Sequence, residues 1–159
     1  MKIGEALNHR KYLMNHIPQL LAKAQGCVTV VKDAPMNKAE PSVAELIAGI
    51  HKETAELRDL IVQINRTNAA NLLPCGMSVM EAIAEREYLK QVNVVFAGIV
   101  SHIRPRTEKN YLNSDQTTYV VAEDVHPANI KQTTEDAAKR LRMLDNELQQ
   151  ANWTIDLVK

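Results

Sequence analysis

The stretch Ile64-Asn65-Arg66-Thr67-Asn68-Ala69-Ala70-Asn71 is densely polar, yet it directly continues a strongly apolar helical stripe. Its amides, hydroxyl and single guanidinium bind and cap well, but none is a nucleophile or general base at neutral pH. Two roles fit. As a binding site, Asn65 and Asn68 share a helix face and Arg66 holds a phosphate or carboxylate, with Asn152 and Trp153 joining from the far end of the chain. As a cap, Asn and Thr satisfy the last helix carbonyls and Trp153 closes the end of the core. The rule that buried polar groups find partners favours the cap. Asn65-Arg66-Thr67 and Asn152-Trp153-Thr154 are also glycosylation triplets, which matter only in a eukaryotic secretory pathway.

A second set is Arg10 and Arg86, which occupy or border apolar seam positions where an unpaired charge is costly. Glu56 and Asp145 are the carboxylates expected at the same height. Together the four predict a polar layer that sets helix register, with a small anion site as the alternative. Five histidines, His9, His16, His51, His102 and His126, are scattered. The sole Glu-x-x-His spacing, Glu123 to His126, falls at a strand-to-helix join, whereas a carboxylate-bridged metal bundle wants it on two helices. No metal and no cofactor are expected. Arg104, Arg106, Lys109 and Tyr111 form a basic loop with an aromatic, a weak single-strand nucleic-acid signal. No Gly-rich phosphate loop, Gly-x-Ser-x-Gly elbow or Cys/His pair is present, so the reading leans away from an enzyme.

These residues need a scaffold, and composition points to helices. The chain has 159 residues, 45% of them hydrophobic, only 4% aromatic and only 5 glycines. That is the size of one domain with its own core. Lys plus Arg and Asp plus Glu balance at 19 each, so no global field attracts nucleic acid or an anionic membrane. The N-terminus lacks the apolar core of a signal peptide. The longest apolar run, Val94–Val100, is far shorter than the roughly 20 residues of a membrane span. Cys27 and Cys75 lack C-x-x-C spacing and read as free thiols in a reducing cytoplasm.

Apolar spacing predicts helices over about 2–25, 42–68, 78–104 and 127–151. The first carries Ile3, Leu7, Met14, Ile17, Leu21 and Ala24, with Arg10 in the remaining seam slot, Pro18 as a kink and Gly26 as its cap. Ser42 with Glu45 and Ser78 with Glu81 are capping boxes opening the second and third helices. The fourth steps by fours and threes through Ile130, Thr134, Ala137, Leu141, Leu144, Leu148 and Ala151, ending at Asn152-Trp153-Thr154. Segments 27–31 and 117–122 read as short strands that pair. The expected fold is mainly α, an antiparallel up-down-up-down four-helix bundle with a two-stranded β appendage. On that topology the ends of the second and fourth helices meet, while Cys27 and Cys75 lie at opposite ends, beyond disulfide reach.

With Ile64-Asn65-Arg66-Thr67-Asn68-Ala69-Ala70 and Asn152-Trp153-Thr154 both in view, the chain resembles a bacterial family labelled septicolysin-like, whose members are short, helical and functionally uncharacterised. Glu5-Ala6-Leu7, Gly76-Met77-Ser78-Val79-Met80-Glu81-Ala82 and Ala122-Glu123-Asp124-Val125 also match, and the similarity covers nearly the whole length. The family label implies a membrane-active cytolysin. From the residues themselves, the regular seams widened by Ile47 and Ile61 predict a structural or interaction protein, a homo-oligomer that self-associates through helix faces. The rival is a small-molecule or anion-binding protein using the Asn65, Arg66, Asn68, Asn152 and Trp153 end.

Overall fold

The computed structural model describes residues 1–29, 41–103, 106–109 and 116–158. In chain order the elements are α1 (Ile3–Cys27), α2 (Val43–Ala70), α3 (Val79–His102), β1 (Arg106–Lys109), β2 (Gln116–Tyr119) and α4 (Pro127–Thr154). The protein is mainly α with a short two-stranded appendage. Local chemistry accounts for the helix starts. The Ser42 hydroxyl accepts from the Glu45 N–H at 3.3 Å, and the Glu45 carboxylate accepts from the Ser42 N–H at 2.8 Å. These two bonds satisfy donors that a helix start leaves orphaned. α4 opens on Pro127, whose missing N–H costs nothing in a first turn.

Two expectations are corrected. Segment 27–31 is not a strand where it is described: α1 runs through Gly26 to Cys27, and Val28 is still right-handed helical at φ −69 and ψ −31. Extending an existing helix needs no new nucleus, so the β-branched residues do not stop it at Gly26. Val30 and Val31 lie outside the described residues. The strand partner of β2 is instead β1, antiparallel, with Arg106 opposite Tyr119 and Lys109 opposite Gln116. Pairing across a short connection closes a smaller loop than pairing with a segment near the N-terminus. Helix α4 also continues through Asn152 and Trp153 to Thr154 rather than breaking there.

The chain forms two compact units, Met1–Met80 with Gln149–Lys159, and Glu81–Leu148. In the first, α1 and α2 pack antiparallel around Ala6, Leu13, Leu60 and Ile64, with Leu7, Ile17, Leu57 and Leu157 partly buried against them. Met14 and Leu21, expected in the α1 seam, are exposed, and Leu13 is buried instead. A helix at 3.6 residues per turn drifts off a strict heptad line, so the buried stripe of α1 leaves the predicted one. Pro18 lies inside α1 on an exposed position. After α2, a turn at 73–76 is closed by the Gly76 N–H donating to the Leu73 carbonyl at 2.9 Å. Gly76 holds φ +86, a conformation that disfavours any side chain.

The end of α4 and the residues after it complete this first unit. The Ile3 N–H donates to the Ile155 carbonyl at 3.1 Å and the Leu157 N–H to the Met1 carbonyl at 2.8 Å. Lys2 reaches the Thr154 carbonyl and the Asp156 carboxylate, both at 2.9 Å. In the second unit, Ala82 and Leu89 of α3 and Ala137, Leu144 and Leu148 of α4 are buried. Arg140 of α4 pairs with Glu85 of α3 at 3.0 Å. Every seam position read on α4 from Ile130 to Ala151 is buried or half-buried.

Candidate functional site

At the C-terminal end of α2 the amide-rich stretch divides by position. Thr67 is fully buried; its hydroxyl donates to the Gln63 carbonyl at 2.7 Å and accepts the Val158 N–H at 3.0 Å. Asn71 caps the helix, its side-chain amide donating to the Thr67 carbonyl at 2.8 Å and its backbone N–H to the same oxygen at 3.2 Å. These two residues do the work of a cap. Asn65 and Arg66 face solvent. Asn68 is half-buried, with its carbonyl oxygen enclosed and unpaired.

From α4, Asn152 comes close to α1 through its backbone: a Cβ on Gly4 would stand 3.0 Å from the Asn152 carbonyl oxygen. Trp153 is 66% exposed and closes no core. The ends of α2 and α4 thus share one end of the first unit, joined at Thr67 and Val158. Asn65, Arg66 and Trp153, expected from sequence to meet a ligand, lie on its surface.

The four residues read as a polar layer divide between the units. In the first, Arg10 is half-buried with its Nε enclosed and unpaired, while Glu56 accepts from His9 Nε2 at 2.7 Å. In the second, Arg86 pairs with its neighbour Glu87 at 2.9 Å, and Asp145 is half-buried. Lys90 joins at 3.0 Å. Hydrogen bonds from Lys90 and then from Arg86 hold the Glu87 carboxyl below its ordinary range. Among the described residues, no group of three His, Cys, Asp or Glu side chains is arranged for a metal ion. Arg104 and Tyr111 of the basic loop lie outside the described residues, and Arg106 and Lys109 are the ends of β1. Cys27 is half-buried and Cys75 exposed, and no disulfide joins them.

One recess was not singled out by motif. It is an open cleft of about 680 Å³ in the second unit, between the C-terminal half of α3 and the segment from Tyr119 to Val125. Val95, Ile99 and Ile103 face Val120, Val121 and Val125 across it, and Tyr119 and His102 supply the polar groups. The His102 ring is held by Nδ1 at 2.9 Å from the Gly98 carbonyl. Next to it, Val94 is 69% and Val120 77% exposed. The sequence signal was available: Val94 to Ile103 contains no charged residue. Val100, in the same uncharged run, is 37% exposed.

A helical scaffold with exposed apolar and amide surfaces defines a mainly α protein of the helical-bundle class. Residues 10–157 match the family model described as "Family of unknown function (DUF6847)", and the chain belongs to that family. A crystal structure of a functionally unknown conserved protein from Corynebacterium diphtheriae has a similar fold, with TM-score 0.75 and 22% identity over 99% of each chain. That likeness speaks to the fold alone. No curated protein matches the sequence. Among the described residues, no helix is long and apolar enough to cross a membrane.

Proposed function

We propose that the protein is a structural or interaction protein that self-associates, and that a second copy covers the apolar face of α3 and the segment after β2. The observation that carries this is the uncharged, exposed surface around Val94, Val95, Ile99 and Val120. Contiguous apolar surface of this kind is uncommon on monomers and marks contact sites. Zero net charge, together with a face free of Lys, Arg, Asp and Glu from Val94 to Ile103, suits an uncharged partner. A second copy supplies that face by two-fold symmetry. At its centre Gly98 has open space around its Cβ position, so another helix can approach closely. Ile47, 48% exposed on α2, offers a further apolar contact in the first unit.

Sedimentation of the wild type and of Ile99→Asp tests the reading. An oligomer that becomes monomeric in Ile99→Asp, at an unchanged thermal midpoint, is the expected result. A wild type that stays monomeric at high concentration would overturn it. The rival small-molecule reading at Asn65, Arg66, Asn68, Asn152 and Trp153 has one supporting observation, the unpaired carbonyl oxygen of Asn68. It predicts a retained mass in native mass spectrometry that is lost in Asn68→Ala or Arg66→Ala. The septicolysin-like resemblance implies membrane damage instead; self-association in the cytoplasm expects no dye release from liposomes, and release would favour that activity.

A further inference from the structure

Residues 155–158 leave α4 as a short non-helical segment within the first unit. The Ile155 N–H still donates to the Ala151 carbonyl at 3.0 Å, the final turn of the helix. Beyond it, an isolated antiparallel bridge pairs Asp156 with Lys2. The Ile155 carbonyl accepts from the Ile3 N–H, and the Leu157 N–H donates to the Met1 carbonyl. The Val158 N–H then donates to the Thr67 hydroxyl of α2, while Leu157 packs against the cluster of Ala6, Leu13, Leu60 and Ile64. The segment ties the start of α1 to the end of α2.

The seat it occupies keeps its own structure. At the start of α1 the Glu5 carboxylate accepts from the Lys2 N–H at 2.8 Å, and the Ala6 N–H donates to the Lys2 carbonyl at 3.0 Å. At the end of α2 the Thr67 hydroxyl donates to the Gln63 carbonyl, and the Asn71 amide donates to the Thr67 carbonyl. None of these bonds involves the tail, so both helix ends stay capped without it. The hold of the tail itself is weaker. An isolated bridge falls far short of an independently stable strand pair. The Asp156 side chain is 71% exposed in its pair with Lys2, and such a surface pair adds little. Ile155 and Leu157 are half-buried and Val158 is exposed. A segment with few buried contacts opens locally, at a lower cost than unfolding the domain.

We propose that residues 155–158 form a strap that opens and closes over this preformed seat as one cooperative unit while α1 and α2 stay packed. Its bonds couple the two ends of the chain, so the Ile3, Leu157 and Val158 N–H groups lose their partners together when it lifts. Lifting takes Leu157 off the apolar cluster and releases the Thr67 hydroxyl as an acceptor. The open form therefore presents an apolar place beside a polar group, both of which the closed form covers. The strap belongs to the first unit and is independent of self-association through α3.

Backbone amide exchange of the full chain, followed by NMR in water and in low urea, tests the strap. Ile3, Leu157 and Val158 are expected to share one opening constant and to be less protected than Leu60 and Ile64 of α2. Their exchange should depend little on urea, because a local opening exposes little surface. Thr67→Val removes the acceptor of the Val158 N–H alone, yet a loss of protection of about 2- to 10-fold should appear equally at Ile3 and Leu157. Exchange of the three amides at unrelated rates would reduce the segment to a frayed end and overturn the proposal. So would a rate and urea slope shared with Leu60 and Ile64, which make the tail part of the global fold. A Thr67→Val loss confined to Val158 also overturns it. Should Thr67→Val fail to fold, the wild-type rates and urea slopes still decide.

Discussion

Two buried positions in the first unit hold more than their residue types suggest. Thr67 is a donor to its own helix and the acceptor for the Val158 N–H. Thr67→Val keeps the shape but removes the acceptor of that part-buried bond, and losing one such hydrogen bond costs about 0.5–1.5 kcal/mol. Urea unfolding at constant m-value is expected to show a loss in this range, and an unchanged midpoint would mean that water replaces the hydroxyl. Gly4 faces the Asn152 carbonyl oxygen at the 3.0 Å limit for an added Cβ. Gly4→Ala gains helix propensity of about 1 kcal/mol, but the obstacle is backbone of α4, which has no rotamer to yield. Overpacking of roughly 1–3 kcal/mol therefore prevails, and the expected result is a lower thermal midpoint. His9 and Glu56 show the opposite situation. Neither stands out by type, and only their placement on facing helices pairs them.

Carboxyls that accept hydrogen bonds in the folded chain set the acid response. Hydrogen bonds from the backbone and then the side chain of Ser42 hold the Glu45 carboxyl below its ordinary range. Asp59 is lowered by its bond to Arg58, and Asp156 by its bond to Lys2. A carboxyl lowered on folding stabilises the native state above its unfolded pKa, and that contribution disappears as pH falls through the folded value. Stability is therefore expected to fall between about pH 5 and about pH 3. Glu45→Gln, which keeps a capping acceptor without the charge, should flatten part of that decline. An identical slope in the variant would remove Glu45 from the account. The elements themselves were readable where local rules suffice. Ser42 with Glu45 and the repeating spacing of α4 located helix starts and buried faces from sequence. Gly26, a residue suited to ending a helix, did not end one, and the polar 106–116 segment concealed β1.

For the molecule as a whole, the proposed self-association through an uncharged face predicts a response to solution conditions. Ion pairs between copies weaken as salt shortens the Debye length, from roughly 10 Å at 0.1 M to roughly 3 Å at 1 M. Apolar burial does not. The dimer dissociation constant is expected to change less than about threefold over that range, as measured by sedimentation. A steep rise with salt would assign the contact to charged surface instead. The sequence by itself determined the mainly α class, the four helices, the capping box that opens α2 and the seam of α4. Periodicity and capping act within a few residues and need no distant partner. Tertiary structure alone decided that Leu13 rather than Met14 is buried, that β2 pairs with β1, that Thr67 ties down the chain end and that His9 meets Glu56. Each depends on which helix or strand arrives opposite, and a one-dimensional pattern does not encode that arrival.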